Sequence, residues 1–224
     1  MKKLLLLSAM AFAAGGASAQ EITVLGWGGA YSNSQIEAYH KPFTEKTGIK
    51  VISVDSDNPA TPIKAQVEAG NVTTDVASVE IADAVRLCDE GLVEPMDASM
   101  LPPAPDGTPA TDDFIAGTLS ECMVPTDVFS TAIAYDETKF TNGAPETIAD
   151  FFDLEKFPGK RGLKKGAKTT LEMALMADGV PAAEVYDTLM TPEGVDRAFA
   201  KLDTIKSEAV FWEAGAQPPQ LLAD

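Results

Sequence analysis

The 224 residues carry 34 acidic against 17 basic side chains, a formal charge of −17 at neutral pH. That balance repels nucleic acid and anionic membrane and favours neutral or cationic partners, although acidity also simply keeps an exported protein soluble. His40 is the single histidine, which excludes histidine-based triads and multi-histidine metal sites within one chain.

The first nineteen residues read as an export signal. Lys2 and Lys3 form a basic start, residues 4–14 an almost unbroken apolar run, and Ala17-Ser18-Ala19 a small-residue cleavage pattern, so Gln20 is expected to begin the mature chain. The apolar run is too short for a permanent spanning helix. A soluble periplasmic product is expected. In that oxidising compartment the two cysteines, Cys88 and Cys122, are expected to pair, the alternative being two buried thiols.

Residues 22–25 read as a buried strand, followed by the glycine-rich turn Gly26-Trp27-Gly28-Gly29-Ala30-Tyr31. Ile36, Tyr39 and Phe43 then recur at helical spacing, with Ser32 or Asn33 as cap, Pro42 as a kink and Gly48 as the stop. A second strand is predicted at 49–54, a polar loop at 55–59, and a helix capped by Thr61 with Pro62 at its first position. A third strand is predicted at 75–79 and a helix at 81–90 ending at Gly91. Strands separated by helices in this way make two βαβ units and a parallel sheet, whose carboxyl ends gather ligand-binding loops. The turn at Trp27, the loop Asp55 to Asn58 and the segment Ser78-Val79-Glu80 should therefore face one crevice.

Residues 95–113 shift to Pro, Ala, Asp and Gly and read as a long surface connection. Residues 122–135 turn apolar and β-branched, an extended segment able to leave one lobe and enter another. Beyond it the pattern predicts helices near 147–154 and 169–177, from Pro181 and after Thr191-Pro192, with strands near 162–163 and at 210–212. Residues 218–224 look like the opening turns of another helix, and the second lobe is expected to be incomplete.

The glycine turn admits three ligand readings. As a dinucleotide fingerprint it fails, because Tyr31 stands in place of the third glycine. As a helix start it can present backbone N–H groups to an anion. As an aromatic wall, Trp27 and Tyr31 can face an ammonium, at about 0.5–2 kcal/mol per contact. Packing of both rings under the turn is the structural alternative. Asp55, Asp57 and Glu80 are the carboxylates nearest that crevice, and each is equally readable as a solvated acid; the Asp55–Asn58 run lacks the later glycine and glutamate of a calcium loop. Trp212, after a strand of the second lobe, is a further aromatic candidate. Lys164, Lys165 and Lys168 read either as a solvated approach to a helix or as contacts for an anionic group. No nucleophile elbow, Ser-x-x-Lys motif or metal-ligand run is present, so neither catalytic residue, metal nor cofactor is expected.

An ordered series of motifs resembles a known family. It comprises Val24-Leu25-Gly26-Trp27-Gly28-Gly29-Ala30-Tyr31, the segments 43–51, 75–76 and 88–95, Ala132-Ile133-Ala134-Tyr135-Asp136, Phe157-Pro158-Gly159-Lys160-Arg161-Gly162, the segment 171–175, and Gly215-Ala216-Gln217 running into 221–224. The series is similar to periplasmic solute-binding proteins of ABC transporters, in the spermidine/putrescine-binding branch. The resemblance implies an α/β fold of two lobes, 20–128 and an incomplete 129–224, each with a mainly parallel sheet flanked by helices and joined by a hinge. It implies a monomer that closes on its solute without chemistry and hands it to a permease in the inner membrane. It places Trp27, Tyr31 and Glu80 at the ligand, joined on the reading above by Asp57 and Trp212. Polyamine binders place carboxylates just before the helix at 171–177, whereas this chain reads Lys165-Gly166-Ala167-Lys168-Thr169. An anionic or zwitterionic solute is therefore the alternative ligand, and a secreted α/β enzyme the alternative class.

Overall fold

A computed structural model describes residues 20–140 and 143–223; the export signal expected over residues 1–19 lies outside the described residues. The first unit is a three-stranded parallel sheet in the order β2-β1-β3, built from β1 (Glu21–Gly26), β2 (Lys50–Asp55) and β3 (Val76–Ala77). Its crossovers are α1 (Gly29–Gln35) running into α2 (Lys41–Thr47), and α3 (Ala60–Glu68); α4 (Ile81–Asp89) follows β3. The second unit holds β4 (Arg161–Lys164) and β5 (Ala209–Trp212), also parallel, with Arg161 opposite Ala209 and Lys164 opposite Trp212. Between them lies a short helix α5 (Ala110–Asp113), and around the second sheet α6 (Ile148–Phe152), α7 (Thr170–Ala177), α8 (Val185–Leu189), α9 (Pro192–Asp203) and α10 (Gln217–Ala223). Among the described residues no helix is long and apolar enough to cross a membrane.

Local chemistry explains where these elements depart from the sequence reading. The first helix starts at Gly29 rather than after Ser32, because the Ser32 hydroxyl lies one turn in, accepting from the Gly28 N–H at 2.9 Å and donating to Asp55 Oδ1 at 2.6 Å. Gly28 holds φ at 77°, a left-handed conformation that glycine adopts without steric cost. Pro42 does not merely kink the helix. It has no N–H for the carbonyl one turn back, and the chain widens into a π-helical segment over Ile36–His40, with the Lys41 N–H reaching the Ile36 carbonyl. Tyr39 and Phe43 border the same hollow as Ile22 and Val24 of the sheet but are left exposed there. The next helix begins at Ala60, its N–H bonded to Asn58 Oδ1 at 3.2 Å, so Pro62 sits within the first turn rather than opening it. The extended segment expected at 122–135 forms no ladder; among the described residues it carries only the Ser120–Met123 bridge. Cys88 and Cys122 are paired, which ties α4 to the start of this segment across 34 residues of sequence.

The two units are unequally filled. Around the second sheet Phe152, Leu163, Ala174, Leu175, Val180, Val185, Ala198 and Ile205 form one buried cluster. The first sheet packs a smaller one, Ala60, Ile63 and Leu87, and Val54, Val76, Ile81 and Val85 remain exposed around it.

Arg161 organises the second unit. Its guanidinium, 7% exposed, donates to four backbone carbonyls: Phe151 at 2.5 Å, Gly159 at 2.8 Å, Asp153 at 3.2 Å, and Phe157. Burial pushes its pKa down, partly countered by the charges of Asp153 and Glu208. One side chain thus supplies the donors for a loop that has no ladder of its own. Replacing Arg161 with Met should lower the unfolding free energy by about 3 kcal/mol, since carbonyls left buried without donors cost roughly 1–3 kcal/mol each; urea unfolding followed by circular dichroism measures it. Replacing both cysteines with Ser should cost about 3–4 kcal/mol from the freed loop entropy, visible in the same unfolding curve against the oxidised wild type, with reduced wild type showing a matching loss.

Candidate functional site

The carboxyl ends of both sheets border one cavity of about 1610 Å³. Part of it is a cleft between the two units. The remainder runs along the apolar face that carries Ile22, Val24, Tyr39 and Phe43. All five candidate ligand residues, Trp27, Tyr31, Asp57, Glu80 and Trp212, border this cavity. A smaller hollow of about 490 Å³ lies beside it between Trp27, Gly28, Gly29, Asp55 and Asp57 on one side and residues 214–216 on the other.

Each position follows from the strand that precedes it. Trp27 leaves the end of β1, Asp57 follows β2, and Glu80 stands at the start of α4 just beyond β3. Trp212 closes β5, beside Lys164 at the end of β4. Tyr31, one turn into α1, does not offer a free hydroxyl. It is 2.7 Å from Ser78 Oγ and donates to Asp127 Oδ1 at 3.2 Å, joining α1, the end of β3 and the extended segment. Burial raises its pKa, with the negative charge of Asp127 adding to the effect against the Ser78 hydrogen bond. Trp27 is half-buried, and its ring is faced by Lys164 Nζ at 5.5 Å from the centroid. His40 also borders the cavity; its buried Nδ1 has no hydrogen-bond partner, and desolvation lowers its pKa.

The lysines correct the reading of a solvated helix approach. Lys168 Nζ lies 2.6 Å from Glu80 Oε2 and 2.6 Å from Asp83 Oδ2, on the opposite unit. Lys164 Nζ is 3.9 Å from Glu80 Oε1, and Lys165 pairs with Glu213 at 2.8 Å. Arg86 continues the chain of charge, 3.5 Å from Asp83 Oδ1 and 3.2 Å from Glu90 Oε1. Glu80 is thus an interlobe ion-pair partner as well as a cleft residue. Sequence reading passed over Asp83 and Asp127, and it set Ser78 in the crevice only as part of the segment leading to Glu80. Asp83 was findable, lying three residues after Glu80 at the same helix start. Asp127 is a single polar residue whose partner Tyr31 lies 96 residues away.

Among the described residues the grouping able to approach a metal, Cys88, Glu121 and Cys122, has both sulfurs joined in the disulfide. The arrangement can hold a small ligand by charge and aromatic contact. It offers two signs of charge across one gap.

Lys168 supplies a pH signature. Burial works against its ammonium, but hydrogen bonds to Asp83 and Glu80 outweigh that and raise its pKa above the ordinary 10.5. A raised folded-state pKa stabilises the fold fully below the unfolded value and loses that contribution as pH climbs through the folded one. Thermal melts should therefore show a decline in stability above about pH 10.5 that is reduced in K168M.

The chain matches the family of bacterial extracellular solute-binding proteins over residues 38–224. A gamma-aminobutyric acid-binding protein of Pseudomonas aeruginosa is 50% identical over 215 residues, which cover 96% of this chain and 59% of that protein. The periplasmic binding protein MotA of A. tumefaciens B6, solved with glucopine, aligns with a TM-score of 0.81 at 32% identity, over 90% of this chain and 60% of that one. A solved GABA receptor aligns with a TM-score of 0.69 at 32% identity, over 91% and 59%. The chain therefore spans about three-fifths of the length of these relatives. With the two-unit parallel α/β architecture, the match over residues 38–224 establishes that this chain belongs to the bacterial extracellular solute-binding protein family.

Proposed function

We propose that the chain is the receptor of a bacterial ABC import system and binds a small zwitterion of the γ-aminobutyrate type between its lobes. On this reading the first nineteen residues are removed on export to the periplasm, residues 20–128 and 129–224 form the two lobes, and the receptor acts as a monomer that meets an inner-membrane permease. The observation that carries it is the mixed charge of the cleft. Glu80, Asp57 and Asp127 border it from one side, and Lys164 from the other. A ligand with an ammonium at one end and a carboxylate at the other finds a partner for each in such a gap, whereas a diamine finds no use for the lysine. The 50% identity to a gamma-aminobutyric acid-binding protein supports the same choice. Trp27 and Trp212 would exclude water along the aliphatic stem.

A polyamine is the second reading, favoured by the acidic excess and by Asp55 and Asp57 beside the Trp27 turn. Against it stand the lysines that already neutralise Glu80. No reacting group is required in either case: binding and release are the whole cycle.

Calorimetry of the purified full chain with γ-aminobutyrate, putrescine and spermidine separates the readings. Saturable one-to-one heat with γ-aminobutyrate, and a rise in Tm equivalent to about 2.7 kcal/mol at a hundredfold excess over Kd, is the expected result. Trp27→Ala should weaken binding about tenfold, as expected when one good aromatic face is removed from the ligand. Heat with the amines alone would establish the second reading, and chemical turnover of the ligand would overturn both.

A further inference from the structure

The ion pairs across the cleft are arranged as if an amine ligand were already present. Glu80 and Asp83, three residues apart at the start of α4, are mostly buried carboxylates, with side chains 18% and 14% exposed. Lys168 of the opposite unit places one ammonium 2.6 Å from an oxygen of each. Their remaining oxygens are faced as well, Glu80 Oε1 by Lys164 at 3.9 Å and Asp83 Oδ1 by Arg86 at 3.5 Å. Lys164 also stands over the Trp27 ring. Both features that make a cation site, a carboxylate pair and an aromatic face, are therefore held by the chain's own lysines.

The backbone beside Lys168 bears the mark of that placement. Thr169 has φ 70°, the one non-glycine residue in left-handed space among the described residues. For a β-branched residue this conformation is strained, and such strain persists where surrounding structure enforces it. It occurs at the entry to α7, directly after the lysine that spans the gap.

We propose that Lys168 is a specificity-determining residue, an internal ammonium that occupies the Glu80–Asp83 pair and bars diamines while leaving the cleft open to ligands that carry a carboxylate. The inference rests on the receptor reading. A ligand amine must displace Lys168 to reach the pair, so its apparent affinity falls by the fraction of time the pair is free. The carboxylate of a zwitterion meets no such competitor and gains from Lys164, while its single ammonium has Asp57 and Asp127 on the cleft wall, clear of the pair that Lys168 holds.

The test is calorimetry of wild type, K168M and K168R with putrescine and with γ-aminobutyrate, each protein first matched by its near-ultraviolet circular dichroism. Wild type and K168R should bind putrescine weakly or not at all. K168M should bind it at least about tenfold more tightly, as expected when an occupant present nine-tenths of the time is removed. Equal putrescine affinity in all three proteins overturns the filter. Absence of γ-aminobutyrate heat from wild type speaks instead against the receptor reading, and a putrescine gain confined to K168M would still uphold the filter.

Discussion

Parallel strands impose a constraint from which most of this molecule follows. Each strand must be reached by a crossover, so all strands of a sheet end at the same edge, and the loops that leave them are gathered there without any further design. In the first unit that edge collects Trp27, Asp57 and Glu80 from three strands far apart in sequence. In the second it collects Lys164 and Trp212, side by side on adjacent strands. The cleft is the place where these two edges meet. Its polar content is set by which residue stands one or two places past each strand end, so its charge can be altered by loop substitutions that leave both cores intact.

Electrostatics then decides how the edges face each other. Exposed ion pairs contribute little singly, but the chain Lys164, Glu80, Lys168, Asp83, Arg86 and Glu90 is continuous, and its acids are the more buried members. Buried carboxylates without partners would be costly, which makes approach of the second unit favourable for the first. Tyr31 reinforces the arrangement from below, its hydroxyl shared between Ser78 and Asp127. The charged surface of the cleft is thus already internally paired.

Much of the architecture was legible in the residues. The apolar, β-branched runs of β1 and β2 and the glycine stop at Gly48 marked out the first elements, and Thr191-Pro192 announced α9, where the Thr191 hydroxyl accepts from Gly194 N–H at 3.0 Å. The even cysteine count, read together with the expected export signal, anticipated the disulfide. What escaped depended on partners distant in sequence. Ser32 has the chemistry of a helix cap, but Asp55 beside it gives its hydroxyl another partner. The third strand, expected at 75–79, is regular only over Val76–Ala77: the Asp75 and Ser78 N–H groups still donate to the Thr23 and Leu25 carbonyls at 3.0 and 2.8 Å, but the Thr23 N–H is taken by the Asp75 carboxylate at 2.7 Å instead of a backbone carbonyl. The π-helical segment is a response to Pro42 that periodicity cannot display. The lysines before α7 could read as solvated because the acidic partners of Lys164 and Lys168 lie more than eighty residues away and that of Lys165 forty-eight. The same limit applied to the candidate site: the aromatic and acidic residues after strands were visible from topology, but their pairing was not.

The bond between Cys88 and Cys122 bears on how often the two units meet. Without it, the chain leaving α4 would wander through the proline-rich stretch before reaching the second unit. With it, that stretch is a closed side loop, and the tether between units effectively begins at Met123. A shorter tether raises the local concentration of one partner about the other, toward the millimolar range for short flexible connections. The bond that joins Cys88 to Cys122, at the border of the large cavity, thus shortens the tether between the two units and raises the frequency of their encounter.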